Sequence, residues 1–153
     1  NIPFLEIDQE EWVRIAGTCL QGTLNLTRGC IPLMIKRGGG AIVSLAGLSS
    51  YKGSAGRSHV MATKDGLMGL TRGLAIEFGE KNIRANAAVV GRFDTVRSGN
   101  SLQTGFTTEP DIPLGRMGVP QDMADVIRFL VGPGSAYITG QTIHINGGAY
   151  CPH

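Results

Sequence analysis

Between residues 49 and 64 the groups suited to proton transfer include the hydroxyls of Ser49, Ser50 and Tyr51, the imidazole of His59 and the ammonium of Lys64. An imidazole can change charge near neutral pH, which makes His59 a candidate acid or base. Taken by themselves these are loop hydroxyls, a histidine at a helix end and a solvated or ion-paired helical lysine. Cys19 sits on an apolar helix face, where a thiol behaves as a small hydrophobe rather than as a nucleophile. His59, His144, His153 and the cysteines Cys19, Cys30 and Cys151 show no spacing that would bind a metal.

The elements that must position these groups are legible in the pattern. Ala41-Ile42-Val43-Ser44-Leu45-Ala46 is a short, β-branched apolar run after Gly38-Gly39-Gly40, which predicts a buried strand opened by a turn. A Gly/Ser-rich loop is expected from Gly47 to Gly56. Residues 57–79 then read as an amphipathic helix. Val60, Leu67, Leu70, Leu74 and Phe78 recur at helical spacing on one face, and Gly79 stops it. Residues 82–90 predict a second strand, and Gly91-Arg92-Phe93-Asp94-Thr95 the loop at its end.

On either side the signals are simpler. Asp8 is a natural N-cap with Glu11 three residues on, flanked by Ile7 and Trp12 at staple positions. The helix so opened is predicted over residues 8–37, with an apolar stripe through Trp12, Ile15, Ala16, Cys19, Thr23, Leu26, Cys30 and Met34 and a late kink at Pro32. Residues 97–116 hold few periodic apolar positions and read mostly as loop. Pro120 at the first helical position opens a last helix, ended by Gly132-Pro133-Gly134, and residues 141–147 form a final strand. The three strands are expected to be parallel neighbours, since helical crossovers link them.

Composition narrows the function classes. The chain has 153 residues, 42% hydrophobic and 17% charged, which suits a single domain with a real core. A formal charge of +2 without a Lys/Arg cluster argues against nucleic acid as a partner, and the apolar runs are too short for a membrane span. Three irregularly spaced cysteines suit reduced thiols, hence a cytoplasmic location.

In Ile42-Val43-Ser44, Thr63-Lys64-Asp65-Gly66-Leu67, Gly69-Leu70-Thr71-Arg72, Ile83-Arg84-Ala85-Asn86 and the tail Tyr137–Gly148, the chain resembles the short-chain dehydrogenase/reductase family of NAD(P)-dependent oxidoreductases. The resemblance runs from about Phe4 to Gly148. It implies an α/β fold, a Rossmann-like doubly wound parallel sheet, of which residues 1–153 form a single domain corresponding to the second half. Members usually run to ~250 residues. The family's Gly-x-x-x-Gly-x-Gly loop, which seats a pyrophosphate at a helix N-terminus, is nowhere in the sequence.

The resemblance also assigns roles. The family's proton-transfer set is Asn, Ser, Tyr and Lys. Lys64 occupies the lysine slot, but Val60 stands in the tyrosine slot, Gly47 in the serine slot and Cys19 in the asparagine slot. Valine has no proton to give and glycine no hydroxyl. Phe93 and Thr95 match the loop that holds the nicotinamide carboxamide, although the proline usual in that loop is replaced by Val90. His59, Ser49, Ser50 and Tyr51 are the nearest substitutes.

The resulting expectation is a family member that has lost its own site and acts as a non-catalytic subunit beside an active relative. Homo- or hetero-oligomers would form through the helices at 8–37 and 57–79, which pack against a second subunit in the family. The chain alone would bind no cofactor; NAD(P) would require a nucleotide-binding N-terminal part. The rivals are an active carbonyl/alcohol oxidoreductase whose N-terminal part lies outside this sequence, and a small-molecule binding module. In the family, residues 97–116 correspond to a mobile lid over the substrate.

Overall fold

Three parallel strands run β1 (Gly40–Gly47), β2 (Ile83–Val90) and β3 (Thr142–Ile145), in the spatial order β1-β2-β3. The computed structural model describes residues 1–94 and 112–152. β1 pairs with β2 over its full length, from Gly40 opposite Ile83 to Gly47 opposite Val90. The shorter β3 pairs only with the end of β2, from Ala87 opposite Thr142 to Val90 opposite Ile145. The expected strands and their parallel order are therefore present. The loop tip expected at Thr95, and residues 97–111 of the expected lid, lie outside the described residues.

Five α-helices complete the described fold: α1 (Gln9–Ala16), α2 (Gly22–Lys36), α3 (Ser49–Lys52), α4 (Ser58–Phe78) and α5 (Pro120–Val131). α4 lies on one face of the sheet. There Thr71 Oγ1 donates to Ser44 Oγ at 3.1 Å, and Met68 joins Ala46, Ala87 and Val89 in a core cluster. On the opposite face Arg84 ties β2 to the end of α5. The core of β2 is built of small residues, Ala85, Ala87, Ala88 and Val89, all fully buried. Small side chains let both helices approach the sheet closely.

The packing departs from the sequence reading in four places. First, residues 8–37 form not one α-helix but two, joined by a π-helical segment, Gly17–Gln21. Trp12 and Leu26, expected on the buried stripe, are 41% and 71% exposed, while Thr27 and Ile31 are buried. A π segment inserts an extra residue into the turn, so every later position moves one place along the buried face. The stripe thus shifts from Leu26 and Cys30 to Thr27 and Ile31.

Second, the buried stripe of α4 is His59, Thr63, Leu67, Met68, Thr71 and Ala75. Of the apolar residues expected there only Leu67 is fully buried; Val60, Leu70, Leu74 and Phe78 are half-buried. The helix meets the sheet through Met68, packed on Ala46, Ala87 and Val89, and Thr71, bonded to Ser44, which leaves the other large residues half-buried. Third, the expected Gly47–Gly56 loop contains the single-turn helix α3. Fourth, Gly79 is right-handed at φ −57°, and the chain reverses at Asn82, the only non-glycine residue described with positive φ, at 58°. An asparagine tolerates this conformation, and here its Nδ2 also donates to Gly38 O at 3.0 Å.

Caps follow the sequence more closely. Asp8 Oδ1 accepts from the Glu11 N–H at 2.8 Å at the start of α1. At α5, Pro120 takes the first turn and Asp122 Oδ2 accepts from Val119 N–H at 2.8 Å. Arg84 closes the other end of α5. Its guanidinium donates to Leu130 O and Ser135 Oγ, both at 2.9 Å, to Gly132 O at 3.1 Å and to Ile138 O at 3.4 Å. A cation among the last carbonyls of a helix satisfies groups the helix cannot pair itself.

Candidate functional site

The C-terminal ends of β1 and β2 open beside the first turns of α4, and there the fold gathers two of the four slots identified in the sequence. A β-carbon built on Gly47 would stand 3.8 Å from Lys64 Cδ and 3.6 Å from Ser49 Oγ. The strand end, the helical lysine and the first residue of α3 therefore face one small space. Both distances are ordinary van der Waals contacts, so the gap at Gly47 is real room rather than a clash avoided. Lys64 itself reaches to β1, where Nζ donates to Leu45 O at 3.3 Å.

Val60 lies one turn before Lys64 on α4, half-buried, and its carbonyl accepts from Thr63 Oγ1 at 2.8 Å. Its side chain contributes no titratable group. Cys19 lies in the π-helical segment, half-buried, a free thiol whose carbonyl accepts from Thr23 Oγ1 at 2.7 Å. This segment faces α4: a β-carbon on Gly66 would meet Leu20 Cδ2 at 3.1 Å. π segments recur at functional positions because they re-aim one or two side chains. The sequence carried no signal for it, since apolar periodicity blurs a one-residue insertion.

The substitutes proposed from sequence do not converge on Lys64. His59 is buried, 6% exposed, and its Nε2 stands 3.4 Å from Glu11 Oε1 on α1. Its Nδ1 is buried without a partner among the described residues. The ring forms part of the wall of a groove of about 630 Å³ between residues 4–12 and the start of α4, with Phe4, Leu5, Trp12 and Ser58. Glu11 holds its charge readily, because the Arg14 guanidinium, bonded to both carboxylate oxygens at 2.7 Å, lowers its pKa. His59 is thus drawn to α1.

Tyr51 is likewise committed. Its hydroxyl lies 3.1 Å from Met68 Sδ, and its ring stands edge-on to His144 with centroids 4.6 Å apart. Tyr150 flanks the same imidazole at 5.5 Å. Burial lowers the pKa of His144, whose Nδ1 has no partner among the described residues. Ser50 Oγ is buried and unpartnered there as well. Of the candidates, only Ser49 adjoins the Gly47–Lys64 space. Sequence reasoning missed His144, because an isolated histidine in an apolar strand shows nothing of the rings brought to it from residues 51 and 150.

Phe93 lies at the end of β2. Its residue bridges to Gly118, and its ring is so close that a β-carbon on Gly118 would stand 2.8 Å from it. The ring lines a hollow of about 230 Å³ with Arg92, Arg116, His144 and Asn146. Thr95, the other loop residue expected to meet the nicotinamide, lies outside the described residues.

Lys64 and Phe93 are the described residues that the family resemblance matched to the nicotinamide and its ribose. The loops after the described strands are Gly47-Leu48-Ser49, Gly91-Arg92-Phe93 and Asn146-Gly147-Gly148. None is a Gly-x-x-x-Gly-x-Gly cradle opening a helix. The loops described thus hold no glycine-rich pyrophosphate seat of that pattern. No group of three or more His, Cys, Asp or Glu residues that could hold a metal occurs among the described residues. No helix described is long and apolar enough to cross a membrane.

Comparison with known proteins bears on the family and the fold. The family profile described as "Enoyl-(Acyl carrier protein) reductase" matches residues 1–150. A 3-oxoacyl-[acyl-carrier-protein] reductase from Chlamydia trachomatis is 36% identical over 146 residues, covering 94% of this chain and 58% of that protein. The enzyme of the same name from Thermotoga maritima is 35% identical over 145 residues, covering 94% of this chain and 59% of its own length. The crystal structure of a Sinorhizobium meliloti protein superposes with a TM-score of 0.86 at 35% identity, covering 97% of this chain and 61% of that one. The chain spans about six-tenths of the length of the curated relatives it matches.

Proposed function

The chain belongs to the short-chain dehydrogenase/reductase family, and from that premise we propose that it is a non-catalytic subunit that works beside an active relative. One observation carries the reading. Val60, with no proton to give, stands one helical turn from Lys64, while Gly47 leaves bare the position next to that lysine where the family places a hydroxyl. Acid/base catalysis needs a group of tunable pKa within reach of the substrate oxygen. His59 and Tyr51 are engaged elsewhere.

In this reading the cytoplasm is the working compartment, and NAD(P) is bound only where a nucleotide-binding part completes the sheet. The half-buried flank of α4, with Val60, Leu70, Leu74 and Phe78, together with the exposed Trp12, Leu24, Leu26 and Leu33 of α1 and α2, supports oligomer contacts through these helices.

A second reading is favoured by the Ser49 hydroxyl, 3.6 Å from the missing β-carbon of Gly47. There the complete protein is an active carbonyl reductase in which Ser49 holds the substrate oxygen, with 3-oxoacyl thioesters as the substrate class suggested by the relatives' names. One experiment separates the two. Cofactor turnover is followed across a panel of ketones, alcohols and 3-oxoacyl thioesters, for this chain supplied with a nucleotide-binding portion and for its Lys64→Ala variant. The non-catalytic reading expects no turnover by either. Turnover by the unaltered chain that disappears in Lys64→Ala overturns it.

A further inference from the structure

Three rings meet at the end of β3 and join elements far apart in the chain. His144 lies on the strand, Tyr51 on the single-turn helix α3, and Tyr150 on the segment that follows β3. Ring centroids are 4.6 Å apart for Tyr51 and His144, 5.4 Å for Tyr51 and Tyr150, and 5.5 Å for His144 and Tyr150. Asn146 folds the following segment back onto the strand: its Nδ2 donates to Tyr150 O and its Oδ1 accepts from Gly148 N–H, both at 2.9 Å. The imidazole is thus flanked by two phenols, and its Nδ1 is buried without a partner among the described residues.

Such a seat suits the neutral ring. An imidazolium donates from both nitrogens, and a buried donor without an acceptor is costly. Among the described residues, none of the elements around His144 supplies an acceptor to Nδ1. Opposite it on β2 is Val89. α3 and the segment after β3 present phenols, and the Tyr51 hydroxyl already lies 3.1 Å from Met68 Sδ of α4. The hollow that His144 lines holds the guanidiniums of Arg92 and Arg116 and one carboxylate, Asp122, which accepts from Arg116 and from Val119 N–H. Two of these three charged groups repel a cation, and the third is committed. Burial accordingly lowers the pKa of His144, despite the attraction of tyrosine faces for a cation.

When the ring takes a proton, something must yield. His144 is held in the ladder opposite Val89, which is fully buried. α3 is weaker: it has four residues, a length at which a helix does not stand without tertiary support. Its hold on the sheet is the Leu48 N–H bond to Val90 O at 3.0 Å and the packing of Leu48 and Tyr51 on the core cluster. It also carries Ser50, whose buried Oγ has no partner among the described residues and gains water on release. Ser49 leads the same turn, with Oγ 3.6 Å from the β-carbon position of Gly47.

We propose that protonation of His144 unseats Tyr51 and unwinds α3, carrying Ser49 away from Gly47 and Lys64. The pH then sets whether a hydroxyl stands beside the lysine. The seated ring binds a proton more weakly than the released one, so α3 is held above pH 6.5 and let go as pH falls below it. The device is independent of whether the chain turns over substrate.

Nuclear magnetic resonance of the full chain between pH 7.5 and 5 tests it without any assay of turnover, so its failure leaves the readings above untouched. Tyr51, Lys52 and Gly53 donate their amides within the turn, to Leu48 O and Ser49 O, and their hydrogen exchange reports its unwinding. The His144 imidazole and the Tyr51 ring should shift with one common midpoint below 6.5. Local opening at the three amides, corrected for the intrinsic effect of pH on exchange, should grow by about threefold to twentyfold between pH 7 and 5. Amides of the β1–β2 ladder should show no such growth. His144→Phe keeps a ring in the seat and should hold α3 across the range; should that variant fail to fold, the coincidence of midpoints in the parent decides. The proposal is overturned by a His144 midpoint at or above 6.5, or by turn amides that open with a different midpoint or not at all. It is equally overturned by a response that persists in folded His144→Phe, which would assign it to another group such as His59. Equal opening of the β1–β2 ladder would also overturn it, because the event would then be global unfolding.

Discussion

Lys64 crosses beside Gly47, with its Cδ 3.8 Å from where a β-carbon at that position would begin. A lysine and a bare strand end in van der Waals range leave room for a β-carbon at residue 47 without a clash. Gly47→Ser should leave stability within about 0.5 kcal/mol, as substitutions that fit existing space usually do. Thermal unfolding checks this. A larger loss would mean that the space is used by the backbone.

Restoring chemistry should require more than one change. Residues that act on one proton path work as a unit, so Val60→Tyr alone should produce no measurable turnover. The triple variant Cys19→Asn, Gly47→Ser, Val60→Tyr should turn over cofactor only when a nucleotide-binding portion is supplied. A general acid typically contributes on the order of a hundred- to ten-thousand-fold, so the gain should be plain in a steady-state assay. If the unaltered chain proves active and His59→Ala abolishes that activity, the imidazole has left Glu11 for the site.

Arg84 holds the end of α5 through contacts to three backbone carbonyls and one hydroxyl. Arg84→Ala should destabilise the fold by on the order of 3 kcal/mol, since several partly buried acceptors lose a charged donor together. Arg84→Lys should recover only part, because an ammonium cannot reach diverging acceptors as a fork does. Urea unfolding of the three proteins gives the order directly; equal stabilities would rule out the anchoring role.

Asp122 is an acid whose charge the fold favours. The Arg116 guanidinium, then the Val119 N–H, lower its pKa from 3.8 to about 2. A carboxylate with a depressed folded pKa stabilises above its unfolded value and loses that contribution as pH falls through the folded one. Asp122→Asn should therefore be less stable than the parent at pH 7, with the gap closing between about pH 4 and 2. Both partners are solvent-exposed, so raising salt should also narrow the gap. Melting temperatures across that range, at low and high salt, are the measurement.

At His144 the fold disfavours the charged form. Burial between Tyr51 and Tyr150 disfavours its charged form and lowers its pKa below 6.5. Its contribution is complete above 6.5 and declines as pH falls below that value, because the unfolded chain takes up the proton first. His144→Phe keeps an aromatic ring and cannot titrate, so its stability should change less between pH 7 and 5 than that of the parent. Parallel curves for the two proteins would count against the assignment.

Much of this protein follows from its sequence alone. The β-branched run at residues 41–46, the helical spacing through Leu67 and the caps at Asp8 and Pro120 are local signals, and each produced the element it implied. Parallel strand order followed too, since the helical crossovers leave few other topologies. The identities of residues 19, 47, 60 and 64 carry the proposed loss of chemistry. What tertiary structure decided was direction. The π segment at Gly17–Gln21 turned the buried face of α2 by one residue, placing Thr27 and Ile31 inward. Helix α4 met the sheet through Met68 and Thr71, against the small residues of β1 and β2. His59 went to Glu11, Tyr51 to His144, and Lys64 to Leu45. Periodicity records which residues share a face of their own element. Which neighbour that face meets depends on contacts between residues tens of positions apart, and these exist only once the sheet has formed.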